Sequence, residues 1–172
     1  MLHPRDPSWV PDDQDDFDSL LRRLGLSGDP RAPGEFQAGL RFLNLIMFLG
    51  CSPRVALEPG ASADPDSVCC VRRHRYPQVS FLSAAKRPPV RCPACRAPAG
   101  EIDTRTCHRA VRCAGCGQET RLADLDWRQA AGFACLFVEL TAVHPHEAVP
   151  SDKLLNSLRE YAGIPWRYFY ID

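Results

Sequence analysis

Two Cys-x-x-Cys pairs set the tightest limit on what this chain can become. The first stands in Cys92-Pro93-Ala94-Cys95, the second in Cys113-Ala114-Gly115-Cys116-Gly117, and the seventeen residues 96–112 separate them. Two residues between cysteines let the backbone curl until both sulphurs face one point. Pro93 pre-sets the backbone dihedral of the first turn. Gly115 and Gly117 are expected to take positive φ in the second, where a side chain would clash. The separating segment can fold out and back as a loop or ragged hairpin, but it is too short to bury a core of its own.

Four thiolates so spaced read as a tetrahedral structural zinc site with Cys92, Cys95, Cys113 and Cys116 as ligands. N–H groups of the turns would donate hydrogen bonds to the sulphurs. Metal binding would supply much of the folding free energy of the segment. Two other readings compete: reduced or redox-active dithiols, and iron held by the same four sulphurs. Cys107 and His108 lie between the pairs, and either could replace a thiolate. Neither belongs to a paired turn, so both are read as loop residues. Residues 91–121 as a whole resemble the zinc-ribbon (rubredoxin-knuckle) family. The resemblance implies a bound metal. It also implies nucleic-acid binding, protein docking or structural stapling, without choosing among them.

Bulk properties narrow the class. A chain of 172 residues suits one ordinary domain with a small insert. With 45% hydrophobic and 24% charged residues it should fold rather than stay disordered. Nine cysteines without a signal-peptide pattern in residues 1–7 suggest thiols kept reduced in the cytoplasm, not a disulfide framework. No apolar run is long enough to span a bilayer. The most apolar one, residues 40–49, contains Arg41 and Asn44 and reads as part of a buried core helix.

Net charge is zero but uneven. Residues 1–21 hold six acidic residues and one Arg, whereas residues 72–121 hold eleven Lys and Arg against Glu101, Asp103 and Glu119, a net of +8. A basic field of this kind attracts phosphate or an acidic protein. The acidic N-terminal stretch could equally dock on it within the same molecule.

Along the chain, residues 1–13 are expected to form a flexible arm. Residues 15–26 suit a short amphipathic helix with Phe17, Leu20, Leu21 and Leu24 on one face. Residues 35–49 read as a central helix stopped by Gly50. Residues 54–58 read as a short strand, and 68–71 and 79–82 as two strands turning near Tyr76-Pro77-Gln78. Asp124 or Asp126 is expected to cap a second long helix running to about Val143. Ser151 should cap a third helix over 152–161, with Gly163 closing it, and residues 166–171 look like a terminal strand. The predicted fold class is α+β: an antiparallel sheet packed by helices on one face, with an inserted four-cysteine zinc ribbon that protrudes. In domain terms, residues 1–34 form an acidic arm with a short helix, 35–90 and 122–172 the core domain, and 91–121 the zinc-ribbon insert.

Other chemistry is sparser. Cys51 sits at an expected helix end, where the dipole would raise a thiol's pKa, so packing is favoured over nucleophilic work. Cys69 and Cys70 would point to opposite faces of a strand and so would not easily share an ion. His144, His146 and Glu147 offer ligand chemistry, but Pro145 disfavours the helix that a two-His zinc motif needs. Arg72-Arg73-His74-Arg75 is a dense basic run. No Phe, Tyr or Trp lies between Ala84 and Leu125, so nucleic-acid contact there would fall on phosphates rather than bases. No phosphate-cradling loop, nucleophile elbow or dinucleotide fingerprint is present, and no catalytic residue is assigned. The expectation is a zinc-binding cytoplasmic accessory or adaptor protein whose ribbon forms part of a docking surface for a protein partner, with no membrane association. The alternatives are a nucleic-acid-associated protein using residues 72–121, a metalloenzyme maturation factor, and a hydrolase built on His144, His146 and Glu147.

Overall fold

The computed structural model describes residues 1–49, 56–57, 68–100, 102–104, 109–144 and 146–171. A six-stranded sheet organises them. Its strands are β1 (Leu2–Pro4), β2 (Ser27–Ala32), β3 (Glu35–Ala38), β5 (Cys70–Ser83), β8 (Ala131–Leu140) and β10 (Trp166–Tyr168), in the order β10-β1-β8-β5-β3-β2. Every neighbouring pair is antiparallel. Two ribbons complete the β structure: β4 (Ile46–Phe48) with β9 (Ala148–Pro150), and β6 (Ala110–Arg112) with β7 (Glu119–Arg121).

Helix α1 (Gln14–Leu24) and helix α3 (Asp152–Ala162) have clear local causes. Asp13 accepts from Asp15 N–H at the start of α1, and Ser151 Oγ accepts from Leu154 N–H at the start of α3. Gly25 and Gly163 close them in the left-handed conformation, at φ 80° and 70°. Phe17 and Leu21 of α1 and Leu154 and Leu158 of α3 share one apolar cluster with Leu2, Val71, Leu136, Val138 and Trp166 of the sheet. Strand alternation and the pairing register put those sheet residues on one face, so both helices cover that face, as an α+β fold requires.

Four expectations are corrected. Residues 1–13 are no arm: Leu2–Pro4 is buried between β8 and β10, and Trp9 packs on Phe17, Tyr161 and Trp166. A three-residue strand is too short to show a period. Residues 35–49 form β3, the single-turn helix α2 (Phe42–Leu45) and β4, not one helix. A Cβ at Gly39 would lie 2.3 Å from the Gly25 carbonyl oxygen, and Gly39 and Arg41 N–H donate to Leu26 and Gly25 carbonyls. The chain therefore turns there against α1's end, and Leu40, Leu43, Met47 and Leu49 stay exposed.

The helix expected from Asp124 or Asp126 to Val143 is a 3₁₀ turn (Leu122–Asp124) followed by β8. All but the last two residues of β8 are buried. A strand buried on both faces shows an unbroken apolar run, which lacks the alternation that marks a half-buried strand. The two strands expected over 68–71 and 79–82 are one, β5, whose pairing with β8 slips between Arg75 and Ser80. Of the strand expected over 54–58, Ala56 and Leu57 are described, and Ala56 makes a parallel bridge to Val68. Cys51, Cys107 and His108 lie outside the described residues. Among the described residues no helix is long and apolar enough to cross a membrane.

Candidate metal centre

The two cysteine pairs are brought together by two turns of the same backbone design. In the first, Arg96 N–H donates to Cys92 O and Cys92 N–H to Ala97 O; in the second, Gly117 N–H donates to Cys113 O and Cys113 N–H to Gln118 O. These four bonds measure 2.8–2.9 Å and recur at the same offsets from the leading cysteine. The fourth residue after that cysteine is left-handed in both turns: Arg96 at φ 61° and Gly117 at 74°. Gly117 thus has the role expected of it. Gly115 does not take positive φ; it is small for another reason. A Cβ there would sit 3.0 Å from Ala97 Cβ, 3.5 Å from Cys95 Sγ and 3.7 Å from Cys113 Sγ, so glycine lets the turns close on each other.

The result is four Sγ atoms all within 4.8 Å of one another. Cys92 and Cys116 sulphurs are 3.8 Å apart, Cys95 and Cys113 sulphurs 3.5 Å. A tetrahedron with Zn–S bonds of about 2.3 Å has S···S edges of about 3.8 Å. The group therefore accommodates a zinc-sized, thiophilic ion with shifts below about 1 Å. Four protein sulphurs would fill its coordination sphere and leave no open position for substrate. Cys92 and Cys113 are buried, whereas Cys95 and Cys116 face solvent.

The thiols are not equivalent. Gly115 N–H approaches Cys113 Sγ at 3.3 Å. Backbone N–H groups of Cys116 and Gly115, together with the Cys95 thiol, bring the Cys113 pKa down to about 6. Gln118 N–H favours the anion of Cys116, but the Cys95, Cys113 and Cys92 thiols around it outweigh that and push its pKa up to about 12.

The segment is fastened to the core rather than protruding freely. Arg91 and Asp126 exchange both backbone hydrogen bonds at 3.0 Å. Val90, Ala99, Ile102 and Val111 pack on Leu122, Leu125, Trp127 and Phe133. Trp127 Nε1–H donates to Leu122 O at 2.8 Å, fixing the wall they share.

Among the described residues the four cysteines are the one group of three or more Cys, His, Asp or Glu with ligand atoms this close. His144 and His146 are exposed and do not join it; His146 instead lies against the Tyr170 ring, centroids 4.4 Å apart. Cys69 and Cys70 are both buried, and burial raises the Cys69 pKa to about 12. The basic run is largely neutralised. Arg72 binds Glu35, Arg73 holds Asp18 in a two-pronged contact and also reaches Gln14, and His74 lies 2.7 Å from Glu139. These partners lie 37–65 residues away in sequence; Asp18 belongs to the acidic stretch 1–21 whose charge suggested docking within the molecule, whereas no local pattern announces Glu35 or Glu139. Sequence reasoning also passed over His3, which is buried, with Nδ1 2.9 Å from Pro4 O. Compared with protein-family models, with curated proteins and with solved structures, the chain matches none.

Proposed function

We propose that the chain is a zinc-binding accessory or adaptor protein of the cytoplasm, in which a zinc ribbon is a structural staple and part of a docking surface. The observation that carries this is the closed set of four sulphurs: a filled coordination sphere stabilises a fold and has no free position for chemistry. Exposed Leu40, Leu43, Met47 and Leu49 support the docking role, because each is a large apolar side chain left in water that a partner would cover. The test is elemental analysis of the purified chain, with cross-linking in its native cell. One zinc per chain is expected, lost in Cys113→Ser and kept in Cys107→Ser, together with a cross-linked partner that Leu43→Asp abolishes. Equal zinc content in the two cysteine variants would overturn the ligand set.

A second reading, phosphate contact with nucleic acid, is favoured by one observation. Arg91, Arg96, Arg109 and Arg112 are exposed and engaged in no ion pair among the described residues. Four phosphate contacts on duplex DNA would give a slope of log K against log salt of about −3.6. Electrophoretic shifts at graded salt measure it, and no shift at low salt removes the reading.

A further inference from the structure

A cavity of about 430 Å³ opens between the metal-centre turn and the β10-β1 end of the sheet. Its walls include Pro93 from the first cysteine turn, Asp124, Trp127 and Arg128 from the connection to β8, and His3 and Arg167 from the sheet. None of the sequence motifs pointed to it.

Its charged groups are unevenly paired. Three guanidinium groups share the Asp124 carboxylate. Arg121 takes Oδ2 at 2.7 and 2.9 Å, while Arg5 and Arg167 stand off Oδ1 at 3.8 and 3.7 Å. Asp124 Oδ1 accepts no hydrogen bond from any of them. Apart from that ion pair, Arg167 has one long contact, 3.4 Å to Ala123 O, so most of its five donors remain uncommitted. Arg128 is the second cation of the wall and Asp126 its second anion, while Arg5 and Arg121 reach Asp124 from outside it. The cavity wall itself carries two cations, Arg128 and Arg167, and two anions, Asp124 and Asp126, with Arg167 only partly exposed.

Two further features shape the site. His3 uses Nδ1 on Pro4 O, which leaves Nε2 as an acceptor. Its ring sits where it does because Gly132 has no side chain: a Cβ there would be 2.8 Å from Nε2. Arg128 and Gln129, consecutive on the rim, are both left-handed at φ 53° and 57°. They are the central pair of a turn closed by Ala130 N–H on Trp127 O at 3.1 Å.

We propose that this cavity binds a small ligand bearing an oxyanion, carboxylate or phosphate, anchored on the Arg167 guanidinium, with the ligand's body against Trp127. A carboxylate or phosphate takes two parallel N–H bonds from one guanidinium, and Arg167 has uncommitted donors to give them. The site is distinct from the four-sulphur centre and does not depend on which ion occupies it.

The probes are inorganic phosphate, phenyl phosphate and benzoate, titrated into the full-length protein by tryptophan fluorescence and ¹H–¹⁵N chemical shifts. Saturable binding of at least one is expected, and the phenyl-to-benzoate comparison tells phosphate from carboxylate. Arg167→Gln should weaken it at least tenfold. The rim variant Gln129→Glu, exposed and outside the core, should weaken it several-fold with an unchanged melting temperature, and it decides the matter if Arg167→Gln does not fold. Arg23→Gln, remote on α1, should bind as the parent does. No saturation with any of the three probes, or unchanged affinity in both cavity variants, overturns the proposal.

Discussion

Arg96 and Gly117 occupy equivalent positions in the two cysteine turns, yet one is the worst-suited kind of residue there and the other the best. Both are left-handed, at φ 61° and 74°. A side chain in that conformation costs about 1–2 kcal/mol through contact of Cβ with the backbone. Glycine avoids this but gives back about 0.4–1 kcal/mol in unfolded-chain entropy. A Cβ at Gly117 would have Arg112 Nη2 as its nearest neighbour at 4.0 Å, so no steric clash enters. Gly117→Ala should therefore lose about 1 kcal/mol, and Arg96→Gly should gain a similar amount. If metal binding and the ordering of these turns are one event, 1 kcal/mol is about a fivefold change in metal affinity. Competition with a chromophoric chelator at fixed pH measures it: Gly117→Ala weaker, Arg96→Gly tighter, and the double variant close to the parent. Shifts of the same sign in both single variants, or no shift in Gly117→Ala, would refute the claim that the turns share one backbone conformation around one ion.

Metal uptake should release protons at pH 7, because Cys116, with its pKa near 12, must give one up while Cys113 is already largely ionised. Affinity should accordingly fall as pH is lowered, which calorimetry in buffers of different ionisation enthalpy can follow. His3 has a folded pKa of about 4 because burial disfavours its cation, with the Arg167 charge adding to the effect. Between pH 6.5 and 4 the unfolded chain takes up a proton that the folded one refuses, so stability falls with pH by about 3 kcal/mol at most. Urea midpoints across that window should show the drop, and His3→Gln should flatten it. Asp18→Ala leaves Arg73, whose side chain is 12% exposed, with Gln14 alone. The expected loss is about 1–3 kcal/mol, against less than about 0.5 kcal/mol for Arg23→Ala at its exposed pair; thermal melts that rank them the other way would contradict the pairing.

What could be read from the sequence was whatever has a local cause. Ser151 and Gly163 bound α3 where capping chemistry puts them, and α1 falls within two residues of the stretch 15–26, held by Asp13 and Gly25. The cysteine spacing announced a cluster that the fold then closes. Residues 131–140 misled because their apolar run has no period, and a helix and a doubly buried strand look alike in that case. Residues 35–49 misled because Phe36, Phe42, Leu45 and Ile46 are buried by contacts with distant parts of the chain, while their apolar neighbours are left outside.

By itself the sequence determined the left-handed place of Gly117, roughly where two helices start and stop, and that four thiols could meet. The turn and helix ends depend on dihedral preferences and hydrogen bonds spanning five residues or fewer, and the thiol cluster on a ligand spacing that one ion can bridge. Tertiary structure alone decided that Leu2–Pro4 lies inside the sheet, that Glu35 and Glu139 join Asp18 of the acidic stretch on the basic run, and that His3 and Arg167 flank a cavity beside Pro93. Such pairings join residues far apart along the chain, and only the burial of one shared core holds them together.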